Sequence, residues 1–158
     1  MDEQLRKKNL FNWILFTWLL TATVDILLAL IINYHVPAAI IFRSIASGLF
    51  GKAAFVKASA MIYYGLFLHY FIAFTWTIIF FLFYNRLIGI VKFKIILVFL
   101  TGLIIWIVMN LVVLPLSRIP AQQFHTLNVI EDMAALIIAY GLPITLIANK
   151  FYHNQSLN

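Results

Sequence analysis

Cysteine is absent and charge is scarce. Of 158 residues none is Cys, 10% are charged and only five are acidic. The first absence removes disulfides, thiolate metal sites and thiol nucleophiles together. The second bears on the solvent. An ordinary soluble domain is about 25% charged, whereas 65% of this chain is hydrophobic. That leaves too little polar side chain to cover a water-facing globule, so most of the outside is expected to face lipid. Also missing are H-E-x-x-H, G-x-S-x-G, a glycine-rich phosphate loop and an Asp pair on one helix. No catalytic residue is therefore assigned. The net charge of +6 comes from eleven Lys and Arg against five Asp and Glu. These basic residues are scattered through short loops and form no patch, so no nucleic-acid partner is expected, and the charges read as an orientation signal.

What the chain does have is four long apolar runs. The run at 10–34 follows Arg6, Lys7 and Lys8 and matches the ~20 residues that cross ~30 Å of hydrocarbon. It is too long for the apolar core of a secretory signal, about 7–15 residues ahead of a small-residue cleavage site. The second, 59–84, is rich in aromatic residues and uncharged apart from His69. The third, 95–114, stops at Pro115, and Ser117, Arg118 and Pro120 disfavour a restart. The fourth, 130–151, follows Asn128, which with Glu131 has the spacing of a capping box, and the acidic pair Glu131 and Asp132 suits a helix N-terminus. Residues 36–57 are apolar but interrupted by Arg43, Lys52 and Lys57. A Lys or Arg at mid-bilayer costs about 2.5–3.5 kcal/mol. This segment is therefore expected to be an interfacial or re-entrant helix with Arg43 and Lys52 as interfacial basic residues. The predicted fold is all-α and integral to the membrane, one domain of four antiparallel transmembrane helices with that extra helix between the first and second. Seven basic residues (Arg6, Lys7, Lys8, Arg86, Lys92, Lys94, Lys150) fall on one side and four (Arg43, Lys52, Lys57, Arg118) on the other. Both termini are then cytoplasmic.

Small and polar side chains inside a span mark helix contacts or a cavity. Thr17, Thr21, Asp25, Ala29 and Asn33 recur every four residues in the first run, as do Gly65, His69, Ala73 and Thr77 in the second. Gly102, Trp106 and Asn110 follow in the third, then Gly141, Thr145 and Asn149 in the fourth. Close packing accounts for the Gly, Ala and Thr positions. It does not account for Asp25, the only acidic residue well inside a span, about 12 Å from the outer end of its helix at 1.5 Å per residue. His69 is about 15 Å below the same boundary, and Tyr140, ten residues past Ile130, falls at a similar level. A buried polar site of Asp25, His69 and Tyr140 is therefore expected, with Thr21, Asn110 and Thr77 as lining. Such a site either fixes helix register or handles a proton or a ligand.

A bis-histidine haem needs two imidazoles inside the bundle, yet His35 and His125 fall in loops and His153 in the C-terminal tail. No metal-site spacing occurs either, so no metal or cofactor is expected. Between Arg43 and Lys52, Ser44 with Gly48 and Ser47 with Gly51 oppose Ile41, Ile45, Leu49 and Phe50. Such a helix can press closely on another, as a rim connector or as an element closing a cavity.

The order TATVDILLAL, SGLFGKAAF, GLFLHYFIAF, NLVVLPLSRIP, EDMAALIIAYGLPITLI resembles the small bacterial YagU-like inner-membrane proteins. The likeness runs from about Asp25 onward and matches at His69, Pro115, Leu116 and Gly141, while the first connection is shorter. It implies a multi-pass bacterial inner-membrane protein tied to acid resistance, and it supplies no catalytic residues. Two functions stay open. One is a proton or small-solute pathway through the buried polar site. The other is a structural or assembly subunit, in a homo-oligomer or a larger membrane complex, docking through small-residue helix faces. A polar file from Asp25 to one membrane face favours the first, and a sealed pair favours the second.

Overall fold

Helix α1 (Glu3–Ile32) is unbroken because nothing in it interrupts the backbone ladder, neither Pro nor Gly occurring over its 30 residues. The computed structural model describes residues 3–56, 59–118 and 126–156, with side chains at 9–56, 59–118 and 129–153. After α1 come α2 (Ala38–Phe50), a single turn α3 (Ala53–Val56) and the long α4 (Ala60–Val91). The third long helix consists of α5 (Lys94–Val108), a π-helical turn Met109–Val113 and α6 (Leu114–Leu116). The fourth consists of α7 (Thr126–Leu136), a π-helical turn Ile137–Gly141 and α8 (Leu142–Ser156). No strand occurs among the described residues. Four stretches, Asn9–Ile32, Ala60–Val91, Lys94–Leu116 and Val129–His153, are long and apolar enough to cross a bilayer.

Several boundaries differ from the sequence reading, each for a local reason. Helix α4 continues past Tyr84 because Asn85 and Arg86 do not break a helix, and it ends where Lys92 turns left-handed at φ 62° and its N–H bonds Ile88 O at 2.8 Å. The third helix runs through Pro115 instead of stopping before it. Proline lacks an N–H and its ring crowds the carbonyl four residues back. That residue, Leu111, lies inside the π turn, which re-routes the ladder at this point. Pro143 repeats the arrangement, since Ala139 four residues earlier lies in the second π turn. Because α7 begins at Thr126, Asn128 lies inside its first turn and is not the capping residue. The Asn128 side chain, Lys57 and His125 lie outside the described residues. His153, expected in a tail, belongs to the last turn of α8.

Opposite ends of α1 meet opposite ends of its neighbours. Ile14 shares a cluster with Phe81, Trp18 packs on Tyr70 and Phe74, and Ala22 meets His69, so later residues of α1 meet earlier residues of α4. Near the termini, Ile14, Phe80, Phe81, Tyr84, Leu97, Ile144, Ala148 and Phe151 form one buried cluster. Toward the other end, Ala22, Ala73, Ile105, Ala139 and Tyr140 form a second. Along each chain segment a buried threonine sits between the two: Thr17 and Thr21, Thr77, Thr101, Thr145. Four of these hydroxyls donate to carbonyls of their own helix at 2.7–2.9 Å, on Trp13, Thr17, Ala73 and Leu97. They add no opening between helices. The outward faces carry Phe16, Leu27, Phe67, Leu82, Phe99 and Leu146, all exposed. An apolar exterior of this extent suits lipid and not water.

Helix α2 has 13 residues, about 20 Å against the ~30 Å of a bilayer core, and is too short to cross it. It lies against the first turns of α4, so closely that a Cβ at Gly65 would run into the Phe42 carbonyl. Its small side is turned inward, with Ala46 and Ser47 buried beside Ala54 and Met61. Its end is tied to the residues that follow the third helix, as Arg118 N–H donates to Gly48 O at 3.1 Å.

Candidate functional site

Helix α1 places Asp25 one turn beyond Thr21, and α4 places His69 opposite. His69 Nε2 is 2.8 Å from Ala22 O, and His69 Nδ1 is 4.0 Å from Asp25 Oδ2. The side chains are 10% and 22% exposed, respectively. Neighbouring aromatic contacts hold the imidazole in place. Trp18 Nε1 donates to Tyr70 O at 2.7 Å, the Tyr70 hydroxyl bonds Thr23 Oγ1 at 3.0 Å, and the Tyr70 ring meets the His69 ring edge-on at 5.4 Å.

The Ala22 bond settles the protonation pattern of the ring. A carbonyl oxygen only accepts, so Nε2 must carry the hydrogen. Nδ1 is then the nitrogen turned to the carboxylate. If neither group held another proton, a lone pair would face a negative oxygen across 4.0 Å. One proton between them, on Nδ1 or on the carboxyl, removes that repulsion and leaves the pair with no net charge. Burial favours this state because a buried uncompensated charge is expensive.

From Asp25 a polar cleft of about 160 Å³ leads to the loop end of the helices. Asp25 and Ala29 line it from α1 and Asn33 from just past its end, Trp106 and Asn110 from the third helix, and Asp132 and Leu136 from α7. Both amides are oriented by their own helices. Asn33 Nδ2 donates to Ala29 O and Asn110 Nδ2 to Trp106 O, each at 3.0 Å. Each amide keeps its oxygen and one further N–H to offer the cleft. In the opposite direction along α1 follow the fully buried Thr21 and Thr17 and then the cluster around Ile14.

Asp25 and His69 thus come together, and Asn110 lines the cleft they open into. Tyr140 is only 4% exposed and lies near enough to Asp25 to feel its charge, yet it bonds neither residue. Thr21 and Thr77 are fully buried, with their hydroxyls on their own helices, and neither lines the cleft. Arg43 is half-buried on α2 and Lys52 is exposed beyond its end. Among the described residues no three of His, Cys, Asp and Glu are grouped to hold a metal. His35 is exposed and packs on Tyr34 at 5.6 Å.

Sequence reasoning did not place Asp132 in the site. Starting the fourth helix at 130 makes Asp132 a first-turn residue suited to the helix dipole. The helix starts at Thr126, so Asp132 lies beyond its first turn, and it lines the cleft together with residues of α1. Asn33 was already visible as the last member of the four-residue stripe on α1. The comparison with known proteins gives no further guide: no family model, curated protein or solved structure matches this chain.

Proposed function

We propose that the chain is a multi-pass protein of the bacterial inner membrane in which Asp25 and His69 form a proton-binding site on a proton or small-solute pathway. Its four spans run antiparallel, both termini are cytoplasmic, and α2 lies at the outer interface. The observation that carries the reading is the Ala22 carbonyl bond, which turns His69 Nδ1 toward Asp25 at the foot of an open polar cleft. Ionisable residues inside a span that face a cavity mark ion and proton pathways in general. The resemblance to YagU-like proteins supports the same reading, since it implies a small multi-pass protein tied to acid resistance. The docking alternative relies on small residues that are in use within the chain: Ala46 and Ser47 are buried, and Gly65 presses on Phe42.

Infrared difference spectra of the purified protein between about pH 5 and about pH 8, where histidine changes charge, test the site. A carboxyl band lost in Asp25→Asn and displaced in His69→Gln is the expected result. Wild-type spectra with no Asp25-dependent change overturn it. For orientation, single cysteines at Asn9, Ile88 and Asn154 should resist an impermeant thiol reagent in intact cells while one at Gln122 reacts. Equal labelling of Asn154 and Gln122 breaks the four-span arrangement.

A further inference from the structure

We infer that the groove between α4 and α5 seats an acyl chain of an anionic phospholipid, with Lys92 and Lys94 holding its phosphate at the turn between the helices. Such a site is separate from Asp25, and it shares with the proton-site reading only the placement of the chain in a membrane.

The groove holds about 220 Å³, more than the ~150 Å³ that accepts benzene. Trp76, Phe83 and Val91 line it from α4, and Leu97, Thr101 and Ile105 from α5. Its course follows from which residues meet. Leu97 clusters with Leu87 and Val91 near the turn, whereas Ile105 clusters with Trp76 farther along. The groove therefore runs lengthwise, over ~22 Å of α4 at 1.5 Å per residue. That length matches one leaflet, half of the ~40–45 Å of a whole bilayer.

Side-chain chemistry says which part of a lipid lies where. Only Trp76 and Thr101 among the lining carry a polar side-chain atom, and Thr101 Oγ1 is already engaged, donating to Leu97 O at 2.7 Å. Phe83 and Ile104 are each 45% exposed and leave the groove open on its outer side. Such a surface favours hydrocarbon over water. At the turn the character changes. Lys92 and Lys94 are exposed, and Arg86 Cζ stands 5.8 Å from the centre of the Phe83 ring on the wall of the groove. Neither α4 nor the third helix contains Asp or Glu, so this hairpin brings three cations and no counter-charge of its own. Basic pockets between membrane helices on the cytoplasmic side bind anionic headgroups. A zwitterionic headgroup fits less well, because its ammonium finds no acid on the hairpin.

The test is native mass spectrometry of the full-length protein in detergent with equimolar palmitoyl-oleoyl phosphatidylglycerol and phosphatidylcholine. Retention of one phosphatidylglycerol per chain is expected, about tenfold or more over phosphatidylcholine. Lys92→Gln together with Lys94→Gln, both at exposed positions, should weaken that retention about thirtyfold, the attraction of two lysines at an anionic surface. Ile104→Trp fills the groove from its outer side and should weaken retention about tenfold with the lysines untouched, the loss of roughly two buried CH₂ groups. If that variant fails to fold, Leu100→Phe fills the same groove by less. Glycerol 1-phosphate, the headgroup without a chain, should not compete. Equal retention of the two lipids, retention unchanged by the lysine pair or by filling the groove, or competition by glycerol 1-phosphate at comparable concentration overturns the assignment. The Asp25-dependent infrared band, recorded on the same preparation, separates the two sites. A band without lipid preference removes the lipid and leaves the proton site, and lipid preference without a band does the reverse.

Discussion

At the end of the bundle that holds both termini, Trp13 packs on Phe151 and Phe81 on Phe151, each pair with ring centres 6.2 Å apart. Ile14, Leu97 and Ile144 fill the space between. Toward the loop end the same four helices carry Asp25, His69, Asn33, Asn110 and Asp132, and they separate enough to leave a cleft. The contrast follows from side-chain chemistry. Lipid solvates an apolar helix face as well as another helix does, so association must come from close packing and from polar groups with no other partner. The aromatic end uses the first and the cleft end the second. The second leaves a cleft lined by carboxylate and amide side chains, whereas the space beside Phe80 and Leu97 is lined almost wholly by apolar ones.

The largest test of this contrast is Phe81→Ala. Phe81 is 1% exposed at the centre of the aromatic cluster. Its loss should cost about 3–5 kcal/mol, read as a fall in the thermal midpoint in detergent. An unchanged midpoint would mean that the closed end is not what holds the bundle. Next is His69→Leu, which strands the Asp25 carboxylate beside a lost partner and should cost about 1–3 kcal/mol. Asp25→Asn should cost less in the same assay, because an amide brings no buried charge. If Asp25→Asn proves the more damaging of the two, the pair is not sharing a single proton. Thr77→Val removes one hydroxyl whose bond goes to its own helix, and about 0.6 kcal/mol is expected, the average for such groups in a membrane bundle. Smallest is Thr145→Val. Thr145 Oγ1 is buried with no partner among the described residues, so replacing it with an isosteric methyl should be neutral or slightly stabilising. A loss as large as that at Thr77 would reveal a partner for it.

Asp25 and His69 were legible before any coordinates, because both lie inside apolar runs where a charge is expensive, and a rise of 1.5 Å per residue puts them at one depth. Tyr140 was legible by the same depth count, but depth says nothing of the direction a side chain takes. Thr21 and Thr77 show the opposite error. They share a face with Asp25 and His69 in sequence, yet a threonine in a helix satisfies itself on the carbonyl four residues back, and these two take no part in the cleft. Pro115 is the stop expected of the third run, yet the helix continues through it to Leu116, and the fourth span, expected to contain Pro143, runs through it as well. A π turn before each allows the helix to continue, and nothing local in the sequence distinguishes a stop from a bypass.

The sequence by itself determined the class of this protein. Composition dictates a largely apolar exterior, run length gives four helices long and apolar enough to cross a bilayer, and the charges in 36–57 mark a shorter helix there. It also determined that Asp25 needs a partner. What only the tertiary structure decided is the use made of that requirement. The Ala22 carbonyl selects which imidazole nitrogen faces Asp25, and the packing of α7 against α1 brings Asp132 into the lining of the cleft. Both depend on the rotation of one helix about its axis relative to another. Hydrophobicity is nearly uniform around α1 and α4, which leaves their rotation loosely specified until the helices pack.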